Sequence, residues 1–154
     1  MRVVFPCYAG IMDTTGRQET YLERIRKYGR DVNPFFRLMG IDVDEIGEGK
    51  ACLSLQIRPD MLNGVGWMQG GIFASLADEA MALALYTQTA PDEQIATIAE
   101  STSFIRGERE GLIVGIGWVV RKGRKVAFLE GEVRKGDREG EVLARTSASF
   151  LLIK

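Results

Sequence analysis

Residues 71–86, GIFASLADEAMALALY, carry only two charges, the adjacent carboxylates Asp78 and Glu79, and apolar or small residues surround them on every side. A helix that is apolar all round is normally buried. An ionised carboxylate inside it must be paired, hold a raised pKa, or face a cavity that admits a polar ligand. Neighbouring side chains on a helix diverge by about 100°, so at most one of the two acids easily shares a narrow face. One functional acid is therefore the leading reading, against the simpler one in which both sit on an exposed stripe. A polar, glycine-rich turn, NGVGWMQGG, leads into this helix.

Composition narrows the chemistry. The 154 residues fit one domain that buries a core without staples. A formal net charge of −1 gives no reason to expect nucleic-acid binding through bulk charge. The start, MRVVFPCYAGIMD, lacks the long apolar core of a signal peptide, and no apolar run reaches membrane-spanning length. The expected compartment is the cytoplasm, with no membrane partner. Cys7 and Cys52 have no CxxC spacing, so neither a disulfide framework nor a zinc ribbon is indicated. There is no histidine at all, which removes Ser-His and Cys-His nucleophile pairs and the usual imidazole metal sites. No metal is expected, and proton transfer falls to carboxylates, Tyr, Lys or water.

Along the chain, residues 18–28 place Tyr21, Leu22, Ile25 and Tyr28 at helical spacing, with Thr14 or Thr15 as candidate caps. Asn33-Pro34 reads as a cap and first-turn proline opening a short helix that Gly40 ends. Residues 41–58 read as a hairpin turning at Gly47 and Gly49, its second arm alternating Leu53, Leu55 and Ile57 with Cys52, Ser54 and Gln56. After the long helix the period changes to two in four runs bounded by glycine-containing turns, read as an antiparallel meander. In the second run Gly115 and Gly117 mark close approach of another backbone or of a ligand. A helix apolar on all sides is not covered by a flat open sheet, so the sheet should curl around it, and its edges are best protected by pairing across subunits. Val3, Val4 and Phe5 are expected to dock on the body or on a partner subunit.

The motifs Asn63, Gly66, Gln69-Gly70-Gly71 and Leu76-Ala77-Asp78 agree in spacing with those of a known family. The chain resembles the hotdog-fold acyl-CoA thioesterases, in particular the PaaI-like, phenylacetate-pathway branch, over roughly residues 33–153. Gln69 stands where that branch usually has histidine. The resemblance implies an α+β hotdog fold, a curled antiparallel sheet wrapped around one central helix, over residues 33–154, with residues 1–32 as a helical N-terminal extension.

It also implies a site. Gly70 would offer a free helix-terminal N–H to the thioester oxyanion, with Gly71 beside it. Gln69 would donate to the same oxygen or to Asn63, or act as a plain cap. Asn63 would polarise the carbonyl or brace the loop. Asp78 would serve as general base or as nucleophile, placed across a dimer interface from the partner's glycine, and Thr97 would position the water or simply favour a strand. Trp67, Phe73 and Met81 would line the acyl pocket, and Arg121, Lys122 and Arg124 of a basic hairpin would hold a CoA phosphate, with Arg106 and Arg109 as other options. No cofactor is expected beyond the CoA of the substrate, and the expected assembly is a homodimer or a dimer of dimers. The rival readings are a catalytically weak acyl-CoA or acyl-carrier binding protein, a hotdog hydratase disfavoured by the missing histidine, and a purely structural oligomerisation module.

Overall fold

The computed structural model describes residues 16–154, so the expectation for Val3, Val4 and Phe5 lies outside the described residues. Helix α1 (Tyr21–Tyr28) is closed at its start by a capping box in which Thr20 and Glu23 satisfy each other's backbone N–H groups. The cap is thus Thr20, next to the helix, and not Thr14 or Thr15. Helix α2 (Pro34–Met39) begins as expected, with Asn33 accepting from the Phe35 N–H, and ends at Gly40 in the left-handed conformation. Strands β1 (Ile41–Gly47) and β2 (Lys50–Gln56) form the hairpin, and helix α3 (Gly70–Tyr86) follows. Strands β3 (Gln94–Phe104), β4 (Leu112–Lys122), β5 (Val126–Lys135) and β6 (Val142–Ile153) complete the chain.

All six strands pair antiparallel in one sheet of order β1-β2-β4-β5-β6-β3. The four-strand meander expected after α3 is therefore corrected. Only β4, β5 and β6 run as a meander, and β3 lies beyond β6 at the far edge. Register alone did not reveal this, because β3 is nearly all exposed in the subunit and its pattern carries little inward signal.

The sheet wraps α3, which buries Phe73, Leu76, Ala77, Ala80, Met81, Leu83, Ala84 and Leu85. Gly115 and Gly117 are where helix and sheet meet. A Cβ at Gly115 would fall 2.7 Å from Leu76 Cγ, and one at Gly117 would overlap the backbone of Ala80 and Met81. The close approach read from the two glycines is that of another backbone. Truncating one of the enclosed leucines should cost about 2–5 kcal/mol. The far end of α3 is pinned where Thr87 Oγ1 donates to the Ala84 carbonyl and accepts the Gly49 N–H. Ser75, Asp78, Glu79, Ala82 and Tyr86 form a half-exposed stripe along α3, which is therefore buried on most of its circumference but not all of it. Among the described residues no helix is long and apolar enough to cross a membrane.

Candidate active site

The loop before α3 is organised by Asn63. Its Oδ1 accepts the N–H groups of Val65 (3.0 Å) and Trp67 (3.1 Å), while its own N–H donates to the Trp67 carbonyl at 2.7 Å. This is the bracing role, and it leaves the Asn63 side-chain amide nitrogen as the only part of that group still able to donate elsewhere. Gly66, at φ 82°, supplies the left-handed turn that folds the loop back on itself. Two further bonds fasten it, Gln69 N–H to the Met61 carbonyl and Met68 N–H to the Glu108 carbonyl, both 2.9 Å.

Gln69 occupies the N-cap with an extended backbone, but its exposed side chain makes no capping bond. Among the described residues no acceptor meets the N–H of Gly70 or Gly71, so both donors at the positive end of the α3 dipole are free. The ring of Phe104, at the end of β3, lies against Gly70, where a Cβ would come within 3.3 Å of it. Phe104 also meets Phe73 edge-on at 6.5 Å between centroids. Trp67 packs beside Gly107 and carries the Arg109 guanidinium 3.8 Å above its ring. Gly70, Gly71, Trp67 and Phe73 thus gather at one end of α3, joined by Phe104 and Arg109.

Asp78 sits further along the helix. Thr97 Oγ1 on β3 donates to its Oδ1 at 3.0 Å. Partial burial pushes the Asp78 carboxyl above its ordinary pKa, and the Thr97 bond pulls it partly back. Glu79 faces α1, near the Tyr21 and Tyr86 rings that meet edge-on at 5.2 Å, and it has no hydrogen bond or ion pair among the described residues. Burial first, and the neighbouring Asp78 charge second, raise it to about 7. Glu100 on β3 is also raised, by burial and then by Asp78. The acids of this region are thus held toward neutrality, with no cation bonded to Asp78 or Glu79.

Asp78 follows Gly70 by eight positions, a rise of about 12 Å along one helix. Within one subunit the two groups are too far apart to act on one carbonyl. Met81 is fully buried against Gly131 and the sheet, so it belongs to the core beneath the helix and not to an open wall. The basic hairpin of Arg121, Lys122 and Arg124 lies toward the C-terminal end of α3, away from Gly70 in the same subunit, and Lys122 is engaged by Glu93 at 3.5 Å. Phe104 and the burial of Glu79 under α1 were not legible beforehand. Their only sequence signal is an apolar pair, Phe104-Ile105, closing a strand that otherwise ends in polar residues. Among the described residues no group of three or more His, Cys, Asp or Glu is placed to hold a metal ion.

The comparisons agree with this architecture. The thioesterase-superfamily profile matches residues 66–142, half of the chain, from the loop before α3 to the first residue of β6. A Deinococcus radiodurans protein named "Putative esterase" is 33% identical over 111 residues, 71% of this chain and 73% of that one. Among solved structures, conserved protein PA5202 from Pseudomonas aeruginosa is 29% identical with a TM-score of 0.73, covering 79% of this chain and 94% of that one. The E. coli PaaI protein of the phenylacetic acid degradation operon shares the fold, with a TM-score of 0.72 at 23% identity over 79% of this chain and 86% of its own. With its curled six-stranded hotdog sheet around α3, the chain belongs to the thioesterase superfamily and is a hydrolase of the thioesterase type.

Proposed function

We propose that the chain is an acyl-CoA thioesterase that works as a homodimer, with each active site made from Gly70 of one subunit and Asp78 of the other. The observation that carries this reading is Asp78 itself, a half-buried carboxylate with a raised pKa, fixed by Thr97 beside an unpaired sheet edge and about 12 Å from the free N–H of its own Gly70. The β3 edge suits pairing with a second copy. It carries one charge, Glu100, whereas the opposite edge, β1, carries Asp42, Asp44 and Glu45. Ile98 is 55% exposed there, and Phe104 58%. Antiparallel β3–β3 pairing turns the two α3 helices antiparallel. A two-fold that brings Gly70 to Asp78 of the partner subunit also brings Phe104 toward Thr97 of the partner subunit, so helix and strand geometry support one and the same axis.

In the reaction the acyl carbonyl takes the Gly70 N–H, with the Gln69 amide beside it. Asp78 removes a proton from water, the resulting hydroxide adds to the carbonyl carbon, and the oxyanion forms against the N–H. When the C–S bond breaks, the CoA thiolate recovers the proton from Asp78. Direct attack by Asp78 through an anhydride gives the same products after hydrolysis. Trp67 and Phe73 line the acyl side. For the CoA phosphates the candidates are Arg121 and Arg124, which make no ion pair among the described residues, and Arg109 at the Gly70 end. The catalytic unit is residues 33–154, with α1 in an added N-terminal extension.

The test is free-thiol release across a panel of acyl-CoAs. Asp78→Asn should lower the rate about 100-fold or more while leaving acyl-CoA affinity nearly unchanged. Wild-type protein that binds acyl-CoA and cleaves none of the panel would favour the binding-protein reading instead.

A further inference from the structure

Phe104 belongs to no motif, lies at the end of an edge strand, and is more than half exposed in the subunit, yet its ring is seated on the first residue of α3. Three observations converge on that position. A Cβ at Gly70 would meet ring atoms at 3.3 and 3.4 Å, so the ring covers the side of Gly70 from which a side chain would project, next to its N–H. Phe73, one turn further along α3, supports the ring edge-on. The N–H groups of Gly70 and Gly71 have no acceptor among the described residues.

A free donor at a helix terminus is ordinarily hydrated, and water competes for it with any incoming carbonyl. An aromatic plate against the donor excludes water from one side and lowers the local dielectric, which strengthens a bond to developing negative charge more than one to a neutral oxygen. We propose that Phe104 is a positioning residue for the oxyanion site: its ring shields the Gly70 N–H from water and fixes the side from which the acyl carbonyl reaches it. This rests on the thioesterase reading above. It assigns to β3 a second duty beside the Thr97–Asp78 bond, so that each copy of the strand contributes to both composite sites.

Two variants test it. In acyl-CoA hydrolysis, Phe104→Ala should lower kcat about tenfold with KM changed less than about threefold, because the lost effect is felt mainly as charge develops on the oxygen. Phe104→Leu, which keeps an apolar cover, should recover most of that loss. Unchanged kcat in Phe104→Ala, a rise in KM alone, or equal losses for Ala and Leu would each overturn the proposal. Absence of cleavage by wild-type protein would instead remove the thioesterase reading, and this inference with it.

Discussion

Asp78 and Glu79 are neighbours in sequence but meet different surroundings. Asp78 turns toward β3, where Thr97 holds one oxygen and leaves the other free. Glu79 turns toward Tyr21 of α1 and Tyr86 of its own helix, and among the described residues no cation pairs with it. Its folded pKa of about 7 exceeds its ordinary 4.5, so the fold favours the protonated acid. The sign follows directly: the stabilisation is fully present below the unfolded value and is lost as pH rises through about 7. With no histidine in the chain, no other type of side chain ordinarily titrates in that window. Wild-type stability should fall by on the order of 2–3 kcal/mol between about pH 5 and pH 8. Glu79→Gln should flatten that slope and, unlike Asp78→Asn, retain most activity. Urea titrations of both proteins across this range check it; parallel curves would mean that Glu79 is already ionised in the folded protein. Asp78 was legible because a charge in an apolar helix is conspicuous. Which of the two acids faced which element was not, because that depends on where α1 and β3 pack.

The helix–sheet contact shows what period-two patterning reveals and what it leaves open. Gly115 and Gly117 alternate with large side chains on one strand, and that pairing announced a close approach before any coordinates. Leu76, Ala80 and Met81 of α3 are what approach. Gly117→Ala should therefore cost about 3 kcal/mol or more, at the upper end of overpacking losses, because the obstruction is backbone and not a flexible side chain. Gly47→Ala, at an open position, is the control, and equal urea midpoints for the two variants would show that α3 sits further from β4. The same alternation failed for β3. A strand exposed at nearly every residue presents no clean inward row, so its position beyond β6 is set by topology and not by its own residues. The glycine-rich loop was legible as a turn leading into α3 but not in its wiring, since the bonds that Asn63 makes within it run to backbone groups any sequence would possess.

At the scale of the whole molecule the separation of Gly70 from Asp78 decides more than any local contact. An isolated subunit holds the free Gly70 N–H and the Asp78 carboxylate about 12 Å apart, too far for one thioester. It also holds a strand edge, β3, with Ile98 exposed and little charge to prevent pairing. In the proposed homodimer one two-fold axis removes both deficits. Ile98→Lys should accordingly shift the protein toward monomer in sedimentation and abolish thiol release together, because edge and site depend on the same contact. A sharper test uses two inactive proteins. Subunits bearing Asp78→Asn and subunits bearing Gly70→Pro are each defective in both sites of their own homodimers. After unfolding and refolding as an equal mixture, half of the dimers carry one subunit of each kind. A composite site then leaves one of the two sites in those heterodimers with intact Gly70 and intact Asp78, restoring about a quarter of the wild-type activity. If both groups worked within a single subunit, every site would keep one defect and mixing would restore nothing. Recovery near a quarter with co-migrating dimers supports the shared site; no recovery from a mixture that forms heterodimers excludes it.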